Sequence, residues 1–388
     1  MSGVVARIEG VVRDRLVARW PELRTVVVEA RPLLDISLGD FGLDCCLAVG
    51  AALKLRPENL AEDLAGDLVG ESEFSFTAVD GFINVSLRDP VALLREPSPA
   101  FVPPPLRLVV QPPTPGTSPD VVARLLASAL VQGVLAGRHG GRFELFVGGA
   151  PCRGGGIGEV VGEARRHLAE RSPAEARREI EAVLRAPFSG VTTVWIGPSF
   201  LQKGDFRDFF REFFGPASGR LLRCPPRVWC EGFTDPWLER LIGESSVEGV
   251  ALMLASSRFP AELDEFALRL SEQGNLRWFL ATTVERLRRL EEGLTTAVGG
   301  ERELSPEARR VAIRGGSARF FEIEAILRGE VTAWSDALTD LLRSITRWIN
   351  HPERRREIAE GRLPALEGKI LSGATETVSD IMKGNPLF

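Results

Sequence analysis

The chain has 388 residues, 44% of them hydrophobic and 26% charged, which is the composition of ordinary globular protein and excludes disorder over most of its length. Its longest apolar stretch, Val121 to Leu135, is interrupted by Arg124 and Gln132, so nothing approaches the roughly 20 consecutive apolar residues of a bilayer span. The opening MSGVVARIEGVVRDR places charges where a signal peptide needs an apolar core, and a cytoplasmic protein with no membrane partner is expected.

A net charge of −5 argues against coating nucleic acid by charge alone, because neutralising many phosphates takes a clear excess of Lys and Arg. Any RNA contact has to be local. The five cysteines, at 45, 46, 152, 224 and 230, form neither a paired framework nor a ligand spacing and read as buried thiols. His139 and His351 lack a His, Cys, Asp or Glu partner one helical turn away, and His167 has only the carboxylates Glu163 and Glu170 at that spacing, so no metal site is expected; each histidine reads as a surface or capping residue. Four lysines stand against 44 arginines and there is no tyrosine, a bias consistent with G- and C-rich codons.

In chain order, Val4, Ile8, Val11, Val12 and Leu16 fall at helical spacing, and Thr25 to Glu29 is a β-branched run with strand character. Asp40 to Lys54 suits a buried helix of small residues, and Glu58 to Leu68 repeats leucine every fourth position. Phe74 to Ala78 and Phe82 to Leu87 read as two strands joined at Asp80-Gly81. Residues 1–92 are thus predicted to form an α+β domain. Residues 93–105 contain five prolines and predict a stiff linker, since proline fixes φ and cannot join a central strand.

Residues 106–249 alternate strands and helices, the pattern of a mainly parallel α/β sheet. Leu106 to Gln111 is its first strand. Ser118-Pro119-Asp120 then supplies an N-cap, a first-turn proline and a first-turn acid for a helix through Leu135. Strands are predicted at Phe143 to Val147, Thr192 to Ile196 and Val228 to Cys230, with a capping box at Ser172 to Glu175. From Pro236 no strand pattern is found. Residues 250–388 read as an all-α bundle, with helices at 276–290, 306–327, 333–349, 352–360 and 366–382.

The order and content of these pieces resemble arginyl-tRNA synthetase. GDFGLDCCLAVGAALKLRPENLAEDLA at 39–65 and VDGFINVSL at 79–87 are similar to that family's N-terminal additional domain: Asp40, Gly81, Phe82, Ile83 and Asn84 match its pattern, and Phe41 stands where the family has Tyr. Residues 250–290 are similar to its passage into a DALR-type anticodon-binding bundle, with Ser256, Ser257, Arg258, Asn275 and Arg286 at matching positions and Trp278-Phe279 in place of two tyrosines. The resemblance implies a multidomain protein with an additional domain, a reduced Rossmann-like core and a DALR-like helical bundle.

The catalytic signatures of that family are missing. Its first, His-x-Gly-His at the head of the helix after the first sheet strand, is replaced by Val121-Val122-Ala123-Arg124. Its second, a Lys-Met-Ser-Lys type loop, has no counterpart between Arg227 and Pro236, where neither lysine nor serine occurs. One preorganised donor is commonly worth about 3–4 kcal/mol of transition-state stabilisation, so losing both signatures implies a pseudoenzyme with no catalytic residue and no cofactor.

Other patterns have ordinary readings. The glycine run Gly154 to Gly158 has no P-loop Lys and reads as a turn, with nucleotide binding as its alternative. Phe206, Phe209, Phe210, Phe213 and Phe214 have the spacing of a core-facing helix stripe. Trp334 and Trp348 read as core anchors. No G-x-S-x-G elbow is present. The candidates for RNA contact are Asn84, Arg286, Arg309, Arg310, Arg314, Arg343 and Arg347. Residues 300–388 hold 14 basic and 14 acidic side chains, and residues 1–100 hold 10 and 16, a balance that slightly favours a solvated, salt-bridged surface for the bundle. Two functions stay open: tRNA binding as an accessory or regulatory factor, and a protein-interaction scaffold that has lost RNA. An enzyme of altered chemistry is the third reading, with no catalytic constellation to support it.

Overall fold

A computed structural model describes residues 3–33, 35, 37–95, 101–103, 105–110, 119–147, 150–151, 192–197, 219–223, 252, 254–255, 276–293, 296–298 and 304–383. Its elements in order are α1 (Gly3–Arg19), β1 (Ala30–Pro32), β2 (Phe41–Leu43), α2 (Cys45–Leu53), α3 (Pro57–Asp67), β3 (Phe74–Val79), β4 (Phe82–Leu87), α4 (Ala92–Arg95) and β5 (Leu106–Val110). There follow α5 (Pro119–Arg138), β6 (Phe143–Val147), β7 (Ala150–Pro151), β8 (Thr192–Gly197) and β9 (Gly219–Arg223). The last are α6 (Leu276–Gly293), β10 (Thr296–Val298), α7 (Pro306–Arg328), α8 (Val331–Asn350), α9 (Pro352–Ala359), β11 (Arg362–Pro364) and α10 (Ala365–Met382).

Packing groups these elements into two compact units that do not follow chain order. The first comprises Met1–Pro99, Leu290–Phe320 and Ser344–Thr377. Its sheet has the order β1-β2-β4-β3, antiparallel throughout. Val4, Val5, Ile8, Val12 and Leu16 of α1, spaced to form one apolar stripe, are buried with Leu60 and Leu64 of α3 against Leu43, Ile83 and Val85 of the sheet. Ile313 of α7 belongs to the same core. The buried carboxylate of Glu9 accepts the amide of Ala30 at 3.1 Å, tying α1 to β1. Cys45 and Cys46 are buried thiols, as expected of small apolar residues on α2; the other three cysteines lie outside the described residues.

Short helix α4 lies inside the stretch expected to be linker, and its leucines are buried. Proline-rich sequence sets stiffness but does not decide whether neighbouring leucines find a core. Here they do because glycines face them. A Cβ on Gly316 of α7 would stand 3.1 Å from Leu93, and one on Gly373 of α10 would stand 2.9 Å from Leu94. In the same unit Glu367, 2% exposed, accepts the Trp348 indole at 3.1 Å and pairs with Arg354 at 2.7 Å, so a buried carboxylate organises α8, α9 and α10. Trp334 and Trp348 are both fully buried.

The second unit comprises Ala100–Arg289, Phe321–Arg343 and Val378–Phe388. Its sheet has the order β7-β6-β5-β8-β9, parallel except for the short edge strand β7. β5 is central, and the chain leaves it for β6 on one side and β8 on the other. In an open α/β sheet this point of reversal is where ligands bind, beyond the carboxyl ends of the strands. Gln132 of α5, fully buried, donates to the Ile326 carbonyl at 2.9 Å and satisfies one of the orphan acceptors at the end of α7. Arg138 and His139 both meet the buried carboxylate of Glu322, His139 at 3.1 Å. His139, expected to be a surface or capping residue, is therefore a part-buried cross-link whose partner is distant in sequence.

Three sequence expectations are corrected. The strand expected at Thr25 to Glu29 starts at Ala30, where pairing with Leu43 begins; Val27 is 69% exposed. The helix expected from Asp40 opens with β2 and turns helical only at Cys45. The all-α expectation for 250–388 meets a two-stranded parallel ribbon, β10 with β11. Three-residue strands carry too little periodicity to register as a pattern. β9 was not expected, and the strand expected near Val228, the phenylalanine row, the Ser172 capping box and the Gly154–Gly158 loop lie outside the described residues.

The Gly373 contact yields a prediction. Gly373→Val should lower the unfolding free energy of the full chain by about 1–3 kcal/mol through overpacking, read from a denaturant midpoint; an unchanged midpoint would show that Leu94 is not held against α10.

Candidate nucleic-acid interface

Within the first unit, β3 and β4 meet at Asp80 and Gly81, whose φ values of +49° and +82° are those of a tight two-residue hairpin turn. The turn sets the register Val79↔Phe82 and so decides which side chains face out. Ile83, Val85 and Leu87 point to the core. Phe82, Asn84 and Ser86 alternate with them on the other face, and Phe82 remains 40% exposed. A Cβ on Gly81 would stand 2.9 Å from Pro57 and 3.3 Å from Leu47, so the loop between α2 and α3 lies against the hairpin turn. That loop carries exposed Lys54, Leu55 and Arg56, and Leu47 is also exposed.

Asn84 is on the outward face yet only 4% exposed. Its cross-strand partner is Gly42, and a Cβ there would meet Leu33 at 2.8 Å and the Asn84 Oδ1 at 3.6 Å. The Leu33 side chain thus lies across Gly42 and shelters the asparagine. Gly39, at φ +137° with Val85 O 3.1 Å from where its Cβ would be, lets the chain close over the same spot; a side chain at this φ is strained.

The arginines of α7, read from sequence as RNA candidates, are turned toward protein. Arg309 bonds Asp40 at 2.7 Å and the Leu87 carbonyl at 2.8 Å. Arg314, 9% exposed, donates to the Leu33 carbonyl at 3.2 Å. Arg319 donates to the Leu94 carbonyl at 3.2 Å. Arg310 is half-buried and lies near Asp35, whose carboxyl is held below its ordinary range by the Ser37 hydroxyl and amide, with Arg310 and Arg314 adding to the effect. Arg286 and Arg343, in the second unit, are half-buried, while Arg347, at the end of α8, is exposed, as are Arg355 and Arg356 of α9. Val121 to Arg124 lie in the first turns of α5, after the central strand β5. Ser256, Ser257, Arg258 and Asn275 lie outside the described residues.

The structure therefore brings together on one hairpin a residue expected from sequence, Asn84, and one not assigned a role, Phe82. The two-residue alternation of a strand could have paired them. Lys54 and Arg56 were out of reach of that signal, since only tertiary contact carries their loop to the turn.

Asp40 is almost fully buried, and desolvation raises its pKa above 3.8 in spite of the bonds from Leu87 and Arg309. A carboxyl with a raised folded pKa holds its proton more tightly when folded, so its stabilising contribution is present below the unfolded pKa and is lost as pH rises through the folded one. Relative to Asp40→Asn, the native protein should lose stability as pH rises from about 3.8; denaturant titrations of both proteins across the acid range check this, and parallel pH profiles would contradict it.

No protein-family model matches the sequence, and no curated protein matches it. Similarity to solved structures extends along nearly the whole chain. The arginyl-tRNA synthetase of Thermus thermophilus is 13% identical, with 96% of this chain and 98% of that one covered at a TM-score of 0.47. The arginyl-tRNA synthetase of Plasmodium falciparum is 8% identical, with 97% and 98% covered at a TM-score of 0.49.

Proposed function

We propose that this chain is a catalytically silent, arginyl-tRNA synthetase-like protein that binds tRNA as an accessory or regulatory factor. The observation that carries the RNA reading is Phe82, a large aromatic left 40% exposed on the same strand face as Asn84, beside a loop bearing Lys54 and Arg56. An unstacked base can lie on such a ring, with the loop cations meeting its backbone. Phe82 and Asn84 also lie within the patch, residues 39–65 and 79–87, where the sequence resemblance to the additional domain is sharpest. Arg347, Arg355 and Arg356 are among the exposed bundle cations available for phosphate.

The silent chemistry rests on the sequence: the helix after β5 opens with Val121-Val122-Ala123-Arg124 instead of the paired histidines and glycine, and neither lysine nor serine occurs between Arg227 and Pro236. The scaffold reading draws on exposed Leu47, Leu55 and Phe82, which would also suit an apolar protein partner.

Salt separates the two readings. Unfractionated tRNA should shift the protein on a gel with an affinity that falls as salt rises, and Phe82→Ala should cost about 1–3 kcal/mol of that affinity. No shift at low salt would reject RNA binding in favour of the scaffold. Arginine-dependent pyrophosphate exchange should remain at background, and a clear signal would overturn the pseudoenzyme reading.

A further inference from the structure

Arg309 stands in the first turns of α7, and its Nη2 donates to the Asp40 carboxylate at 2.7 Å and to the Leu87 carbonyl at 2.8 Å. The same Asp40 oxygen accepts the Leu87 amide at 2.6 Å, and the Asp40 amide donates to the Val85 carbonyl at 2.7 Å. Both backbone polar groups of the last residue of β4 are therefore held by one ion pair. Asp40 also accepts the Leu33 amide at 3.0 Å on its carbonyl, and Arg314 grips the Leu33 carbonyl, so the segment that shelters Asn84 is anchored from the same helix.

We propose that Arg309 is a positioning residue for the nucleic-acid face: by locking the end of β4 it holds Phe82 and Asn84 in place without itself touching RNA. This rests on the RNA reading above. The physical reason is the stiffness and the two-residue period of a strand. Phe82 lies about 16 Å along β4 from Leu87 at the usual rise per residue, and β4 is paired on both edges, with β2 and β3. A displacement at Leu87 is carried along the strand, and a slip of one residue would exchange the Phe82–Asn84 face for the Ile83–Val85 face. Among the described residues Arg309 is the side chain that meets both Asp40 and Leu87, and its loss would take a donor from the Leu87 carbonyl and the cation from the buried Asp40 carboxylate.

The test uses the full chain, unfractionated tRNA followed by fluorescence anisotropy over a range of salt, and hydrogen exchange of the β4 peptide without RNA. Arg309→Ala should raise the Kd about three- to thirtyfold and speed exchange across 82–87. The slope of log affinity against log salt should stay at the native value. Arg309→Lys, which keeps the charge but not the forked geometry, should fall between the two and serves if the alanine variant does not fold. A slope reduced by about one would mean that the guanidinium neutralises a phosphate, overturning the positioning role; unchanged affinity with unchanged exchange would overturn it as well. Should the native protein bind no tRNA at low salt, the functional reading fails separately, and exchange alone then upholds the lock if β4 loosens and overturns it if β4 does not.

Discussion

The first unit depends on an ion pair between a buried carboxylate and a part-buried guanidinium that lie 269 residues apart in sequence. Asp40 is 1% exposed, and removing a carboxylate from water costs several kcal/mol unless its lone pairs are met. Here they are met by a backbone amide and a guanidinium, and that guanidinium is itself shared with a backbone carbonyl. Such an arrangement adds little stability over an apolar contact of the same volume, but it is demanding of geometry, because any shift strands a buried charge. Its effect is to specify where α7 lies against the end of β4.

The rest of the interface between α7 and the α+β elements follows the same economy. Arg314 and Arg319 donate to the carbonyls of Leu33 and Leu94, Gly316 admits Leu93, and Ile313 enters the apolar core. Polar contacts fix position and apolar ones supply the driving force. An arginine row that would serve well as a phosphate track is spent on the protein's own backbone, which moves the case for RNA contact to the β3–β4 hairpin and to the exposed cations Arg347, Arg355 and Arg356.

In the second unit the same logic operates through helix ends and glycines. Gln132 satisfies a terminal carbonyl of α7, and Gly133 lies so close to the Phe143 ring that a Cβ would stand 2.7 Å away, bringing α5 down onto β6. The parallel order with β5 at its centre leaves the start of α5 at the switch point where an open α/β sheet takes its ligand. There the sequence places Val121, Val122, Ala123 and Arg124.

The sequence by itself determined the helices and the longer strands, because α1, α3, α5 to α8, α10, β5 and β6 each carry a periodic apolar stripe or an alternation, and the Asp80-Gly81 turn announces its hairpin. The side chains that open α5, Val121 to Arg124, are likewise a matter of residue identity. Only the tertiary structure decided what the charged residues do. An arginine at 309, 314 or 347 looks the same in one dimension, and whether it meets a carboxylate, a carbonyl or water depends on chain segments hundreds of residues away. Burial of Asn84 and exposure of Phe82 were settled likewise, since strand alternation assigns a face but cannot say that Leu33 and Gly39 will cover one of two neighbours on it and leave the other open.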